Sequence, residues 1–279
     1  MDCIALVMST NSNRIAIAAT KPAAGYIGGK RNLAGRIVPI IDQTDHDGYA
    51  EPFVGMGGIF LRRRQRPKAE FINDISGDVV NFFRVVREHY TVLMDHMRWL
   101  MASRAEFQRQ QALPAEHLTD IQRAARFLYL QRLAFGGKVT GRSYGVDSSS
   151  AARFNVLRLE RDLADLHDRL CGVVIEQLGY ADFIRRYDRP GMLFYLDPPY
   201  WGCEDDYGVE VFSRDDFARL AAQLGGIRGK FVLSLNDTPG VRECFAAFMI
   251  ASEQTTYTIG GAAPKRVGEV IISNYPIRR

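Results

Sequence analysis

Apolar positions along the chain fall into two kinds of run. Short, largely apolar stretches occur at 69–74, 172–177, 192–196, 230–235 and 268–274, a shorter one opens at Gly48, and the more polar 249–258 precedes the last of them. Runs of that kind read as strands, and those apolar throughout read as strands buried on both faces of a parallel sheet. Between them, apolar residues recur three and four positions apart: Ile37, Ile40 and Ile41; Val79, Phe82, Phe83 and Val86; then segments near 213–224 and 239–248. That spacing predicts amphipathic helices. A helix is also expected directly after the glycine-rich stretch 55–58, carrying the arginine run at 62–64. Strand and helix in alternation predict an α/β fold.

From about Tyr90 to Gly172 the alternation stops. Long arginine-rich helical stretches, roughly 91–111 and 116–135, and another at 155–170 flank a glycine-, serine- and lysine/arginine-bearing segment, 135–150, expected as a loop or irregular hairpin. The predicted organisation is therefore one α/β domain split in two (22–90 and 173–279), an inserted helical subdomain (91–172), and an N-terminal arm (1–21) that is a short strand or loose.

Composition narrows the class. The chain has 279 residues, 47% hydrophobic and 24% charged, as expected for a soluble globular protein. Its apolar runs are too short for a membrane helix, and Asp2 without a basic n-region predicts no signal peptide. Four dispersed cysteines and five dispersed histidines predict neither a disulfide framework nor a metal site, and point to a reducing cytoplasm. A net charge of +4 is mild. Arginine clusters at 62–64 with Arg66, at Arg123, Arg126 and Arg132, and at Arg185-Arg186 permit a polyanionic partner, while a solvated charged face explains any one of them.

Four sequence features carry chemistry. The run 192–196 stops at Asp197-Pro198-Pro199-Tyr200, a stiff corner with one acid, one carbonyl and one aromatic ring at the carboxyl end of a strand, where α/β sheets bind ligands. Gly55-Met56-Gly57-Gly58 lets backbone approach a ligand closely, yet it matches neither the P-loop nor the Gly-x-Gly-x-x-Gly spacing. Gly28-Gly29-Lys30 before a helix suits an anionic group or a plain turn. Asp74, closing the next strand, suits ribose hydroxyls; capping of the following helix by Asn73, Asp74 or Ser76 is the equal alternative.

Taken in order, Gly28-Gly29-Lys30, Glu51-Pro52-Phe53-Val54-Gly55-Met56-Gly57-Gly58, Asn73-Asp74-Ile75, Asp182-Phe183 and Asp197-Pro198-Pro199-Tyr200 resemble the Dam-type DNA adenine-N6 methyltransferases, the alpha-class D12 family. The likeness runs from about residue 22 to 275 and includes Ser234-Leu235-Asn236-Asp237-Thr238 and Gly268-Glu269-Val270. It implies a Rossmann-like methyltransferase sheet, S-adenosylmethionine as cofactor and double-stranded DNA as partner, with a cognate restriction enzyme as a further potential partner. It also implies roles for individual residues. Lys30 would meet the methionine carboxylate and Asp74 the ribose, while Asp182 and Phe183 hold the adenine ring. Phe53 and Gly55 form the pocket floor, with Gly29, Pro52, Ile75 and Asp197 alongside. Tyr26 stands where the family commonly has tryptophan and still offers a flat ring. The insertion would face DNA, through Arg132, Lys138, Arg142 and Tyr144; its loop departs from the asparagine- and tyrosine-rich form of GATC readers, so GATC is not assigned.

At Asp197 the chemistry can be argued from the amine. The adenine N6 lone pair is delocalised into the ring. Two acceptors, the Asp197 carboxylate and the Pro198 carbonyl, taking both N–H hydrogens would favour a pyramidal nitrogen aimed at the methyl group. Tyr200 would stack on a base flipped out of the duplex. The alternatives are an adenine enzyme of relaxed specificity, a cytosine-N4 enzyme, or an inactive nucleic-acid-binding protein on the same scaffold.

Overall fold

The computed structural model describes residues 14–145, 152–208, 211–257 and 265–277. Most of the arm expected at 1–21, and positions 146–150 of the expected loop, lie outside them.

The chain enters as β1 (Ile15–Ala16) and α1 (Ala34–Gln43), followed by β2 (Gly48–Glu51), β3 (Gln65–Arg66), β4 (Ala69–Asn73) and α2 (Gly77–Glu88). A helical block follows: α3 (Tyr90–Met97), α4 (Arg104–Ala112), α5 (Asp120–Leu133) and α6 (Val156–Leu170). Alternation then resumes with β5 (Val174–Glu176), α7 (Tyr180–Tyr187), β6 (Met192–Leu196), α8 (Arg214–Gly225), β7 (Lys230–Asn236), α9 (Pro239–Cys244), β8 (Met249–Tyr257) and β9 (Lys265–Ser273).

Seven strands form one sheet in the order β5-β4-β2-β6-β7-β9-β8. The first five are parallel, and β9 and β8 run antiparallel at one edge. β1 and β3 make a separate two-residue pair. This is the expected fold class. β6 is buried at every position, as its unbroken apolar run requires. One apolar cluster covers the face bearing α1 and α2 and continues through Phe107, Leu128 and Leu159 of the helical block. The other gathers α7, α8 and α9. The helices between β4 and β5 thus share a core with the sheet.

Two expected helices differ. The residues after the glycine turn form only a single 3-10 turn, Phe60–Arg62, because Arg63 must leave extended to reach buried partners. The expected helix 91–111 is two helices, restarted at Ser103, whose hydroxyl accepts the Glu106 N–H at 3.0 Å. The next begins at Asp120, where Thr119 and Gln122 form a capping box. Within the arginine run Arg64 is exposed, but Arg63 is not part of a solvated face: Arg63 and Arg169 both bind Glu70 (2.8 and 2.7 Å), all three being buried. Their guanidinium groups also lie over Tyr49 (3.5 Å) and Phe60 (3.8 Å), riveting α6 to β4.

Candidate active site

Strand order reverses between β2 and β6: the chain winds outward from β2 to β4 and β5, then returns to begin β6 and winds the other way. A crevice opens at such a point beyond the carboxyl ends of the strands. β2 delivers the glycine turn there and β6 delivers Asp197.

At the Asp197 corner, Lys30 is buried, and its ammonium reaches Asp197 Oδ1 at 2.6 Å, the Tyr200 hydroxyl at 2.7 Å and the Gly28 carbonyl at 3.4 Å. It also lies 4.2 Å from the Tyr200 ring centre. Tyr200 in turn donates to the buried carboxylate of Glu269 on β9, at 2.6–2.7 Å. The next residue is clamped: Trp201 N–H donates to Asn236 Oδ1 (3.0 Å) and Asn236 Nδ2 donates to the Trp201 carbonyl (2.9 Å). Burial pushes the Asp197 carboxyl up to about 6; Lys30 opposes this and the charge of Glu269 adds to it.

On the other side of the crevice, Gly55 takes φ +49°, and its N–H donates to Asp74 Oδ2 at 2.9 Å; Ser76 N–H donates to Oδ1 at 2.9 Å. Ser76, not Asp74, caps α2. Burial raises Asp74 to about 6. The Tyr26 ring lies against Gly55, so that a Cβ there would sit 3.2 Å from it. Asn73 ties three strand ends together, donating to the Pro52 and Leu178 carbonyls (2.9 and 3.0 Å) and accepting from Leu178 N–H (2.8 Å). Phe53 belongs to an aromatic wall with Tyr180 and Phe212, ring centres 5.5–5.9 Å apart. Ile75 is exposed beside Asp74. Glu51 is buried, accepts the Tyr49 hydroxyl at 2.5 Å, and is raised to about 8 by burial.

Other expected residues sit differently. Phe183, on α7, is fully buried in the core, whereas Asp182 is exposed and paired with Arg185 at 2.6 Å. Gly29 is exposed in the turn before α1, its N–H donating to the Tyr26 carbonyl. Lys30 stands at the Asp197 corner, where its donors already have partners.

The expected DNA residues divide. Arg132 turns inward, donating to the Ala23 carbonyl at 2.6 Å and lying 3.6 Å from Asp162. Arg142 folds back onto the Lys138 carbonyl and Gln131 Oε1 (both 3.2 Å). Tyr144 packs edge-on against Phe107. Lys138 is exposed. The loop closes as an irregular hairpin: Ala134 and Tyr144 form a bridge, and Phe135 N–H donates to the Ser143 carbonyl. It docks on the chain around Tyr26. The Ile27 N–H donates to the Gly137 carbonyl (2.9 Å), and Gln131 spans the Gly25 and Gly137 carbonyls.

The sequence motifs contain Glu269, Asn236 and Asn73 but assign none of them a place in this arrangement. A signal existed for two of them: Glu269 precedes the apolar run Val270-Ile271-Ile272, and Asn236 ends the apolar strand β7. A buried polar group at such a position needs a partner.

Comparison with known proteins agrees with the geometry. The profile of the D12 class N6 adenine-specific DNA methyltransferases matches residues 26–259. The chain is 25% identical to the type II methyltransferase M1.LlaDCHI of Lactococcus lactis subsp. cremoris, over 91% of this chain and 95% of that one. It is 20% identical to the type II methyltransferase M.CviBI of Paramecium bursaria Chlorella virus NC1A, over 85% and 91%. Among solved structures, the precorrin 8w decarboxylase of Methanobacterium thermoautotrophicum aligns over 88% of this chain and 89% of that one, with TM-score 0.39 and 8% identity.

Proposed function

Because this chain belongs to the D12 class of N6 adenine-specific DNA methyltransferases, we propose that Asp197 and the Pro198 carbonyl are the paired acceptors that orient the target amine. The protein transfers a methyl group to adenine N6 in DNA, with S-adenosylmethionine as cofactor. When bound, that cofactor supplies an electrophilic methyl group on a positively charged sulfur. The residues at the crevice fit it: Asp74 offers a carboxylate beside the glycine turn, Tyr26 and Phe53 offer rings, and Ile75 offers an exposed apolar side chain.

Asp197 acts as a hydrogen-bond acceptor, and the rigid Pro198-Pro199 backbone fixes its angle to the second acceptor. Lys30 holds the carboxylate ionised and in place. Tyr200 presents its ring to the base while its hydroxyl is anchored. The single observation carrying this reading is the 2.6 Å contact of Asp197 with a buried lysine at the point where strand order reverses. Asp182, with Phe183 supporting it from the core, lines the adenine end of the pocket, alongside Pro52 and Gly29. The segment 91–172 serves as the target-recognition part between 22–90 and 173–279, with Lys138, Arg142 and Tyr144 toward the duplex. A cytoplasmic setting and a cognate restriction enzyme belong to the same reading.

The test is transfer of labelled methyl groups to duplex DNA, with N6-methyladenine identified in the product. Asp197→Ala, folded by circular dichroism, is expected to lose transfer by more than about a thousandfold. Transfer at near the wild-type rate overturns the assignment.

A further inference from the structure

We propose that Glu269 is a positioning residue for methyl transfer, holding Tyr200 and Lys30 in the arrangement that orients Asp197. The proposal rests on the reading of Asp197 given above. Glu269 sits on β9, pairs in register with Asn236 of β7, and has no exposed surface. The acid lies at the start of the buried stretch Glu269-Val270-Ile271-Ile272, and desolvating a carboxylate is costly unless it is bound. Both its oxygens lie within 2.7 Å of the Tyr200 hydroxyl.

A directed chain results. Lys30 donates to Asp197 and to the Tyr200 oxygen, and Tyr200 donates onward to Glu269. Because the phenol proton is committed to Glu269, the phenol oxygen must accept from Lys30. The lysine is thereby shared, not surrendered wholly to Asp197. Two carboxylates around one ammonium leave a surplus negative charge, which favours the positive charge that grows on an attacking amine. The groups facing Asp197 are Lys30 from the turn before α1, Glu51 from β2, Tyr195 from β6, Ser234 from β7, Glu269 from β9, and Tyr200 and Tyr207 from the segment after the corner. Of these, Lys30 and Ser234 hold the Asp197 carboxyl down, while Glu269 pushes it up.

Glu269→Gln keeps the volume and one acceptor but removes the charge. Three measurements follow: kcat and KM for DNA and cofactor, the pH profile of kcat/KM, and the titration of the Asp197 carboxyl carbon by NMR in cofactor-free protein. Expected are a fall in kcat of about tenfold or more with KM changed less than about threefold. The Asp197 titration and the acid limb of the profile should move together to lower pH, by about half a unit or more. Glu269→Asp, which keeps the charge but retracts it by one methylene, should leave the titration within about 0.2 units of wild type while lowering kcat. If whichever variant folds keeps wild-type kcat, or if Glu269→Gln leaves the Asp197 titration unmoved, Glu269 is only a strut of β9 and the proposal falls. Wild type and Asp197→Ala are run alongside. Active wild type with inactive Asp197→Ala but wild-type behaviour of Glu269→Gln overturns this inference alone; active Asp197→Ala overturns the underlying assignment as well.

Discussion

At the scale of single residues, burial sets the chemistry of the carboxylates around the crevice. Glu51 is the extreme: with no water and a tyrosine hydroxyl as its bonded neighbour, it titrates near 8. Its folded value lies above its unfolded one, so the folded state holds the extra proton, and stability falls as pH rises between the two values. Glu51→Gln removes that titration. Between pH 5 and 9 the wild type should lose stability by on the order of 1 kcal/mol per pH unit at the steepest, and the variant visibly less, as read by urea unfolding at each pH. Equal slopes would show that Glu51 is ionised in the fold. Asp74 and Asp197, both near 6, are ionised at neutral pH and available as acceptors.

At the scale of elements, strand ends are held by polar ties that periodicity does not reveal. Asn73 binds the ends of β2, β4 and β5, so the glycine turn and Asp74 are aligned before any ligand binds. The Arg63–Glu70–Arg169 cluster does the same for α6 and β4. Ion pairs of this kind add little net stability, yet removing one partner strands the others. Glu70→Gln should cost about 3–5 kcal/mol, since two buried guanidinium groups lose their counter-charge. A urea midpoint close to wild type would refute that account.

Across the whole molecule, the loop 134–145 is hydrogen-bonded to the chain around Tyr26, whose ring lies against Gly55. Gly137 has φ +69°, and a Cβ on it would sit 3.0 Å from the Tyr26 nitrogen, with only backbone in its way. Gly137→Ala should therefore displace Tyr26 and raise the dissociation constant for S-adenosylmethionine about three- to tenfold, although the residue belongs to the helical insertion. Calorimetry measures this, and unchanged affinity would mean the two parts are independent. On the outer side of the loop, Lys138→Ala should lower the slope of log affinity for DNA against log salt by about one, as loss of a single phosphate contact would. A slope equal to wild type removes Lys138 from the DNA face.

The linear chain determined the class of fold and most of the crevice. Continuous apolar runs specify buried parallel strands, and a strand that stops at Asp197-Pro198-Pro199 specifies its own corner through local covalent geometry. Glycine turns and terminal acids are local in the same way, so Gly55, Asp74 and Asp197 could be picked out without coordinates. Tertiary structure decided what each charged group is for. Arg63 read as part of a surface cluster and is a buried partner of Glu70, and Arg132, expected to face DNA, donates to the Ala23 carbonyl and lies beside Asp162. Phe183 read as a cofactor contact and packs in the core. Lys30 read as a partner of the cofactor, and it is bound to Asp197 and Tyr200, about 170 positions away. Such pairings depend on which strands the crossovers bring side by side, and an ion pair leaves no periodic trace in either of the segments it joins.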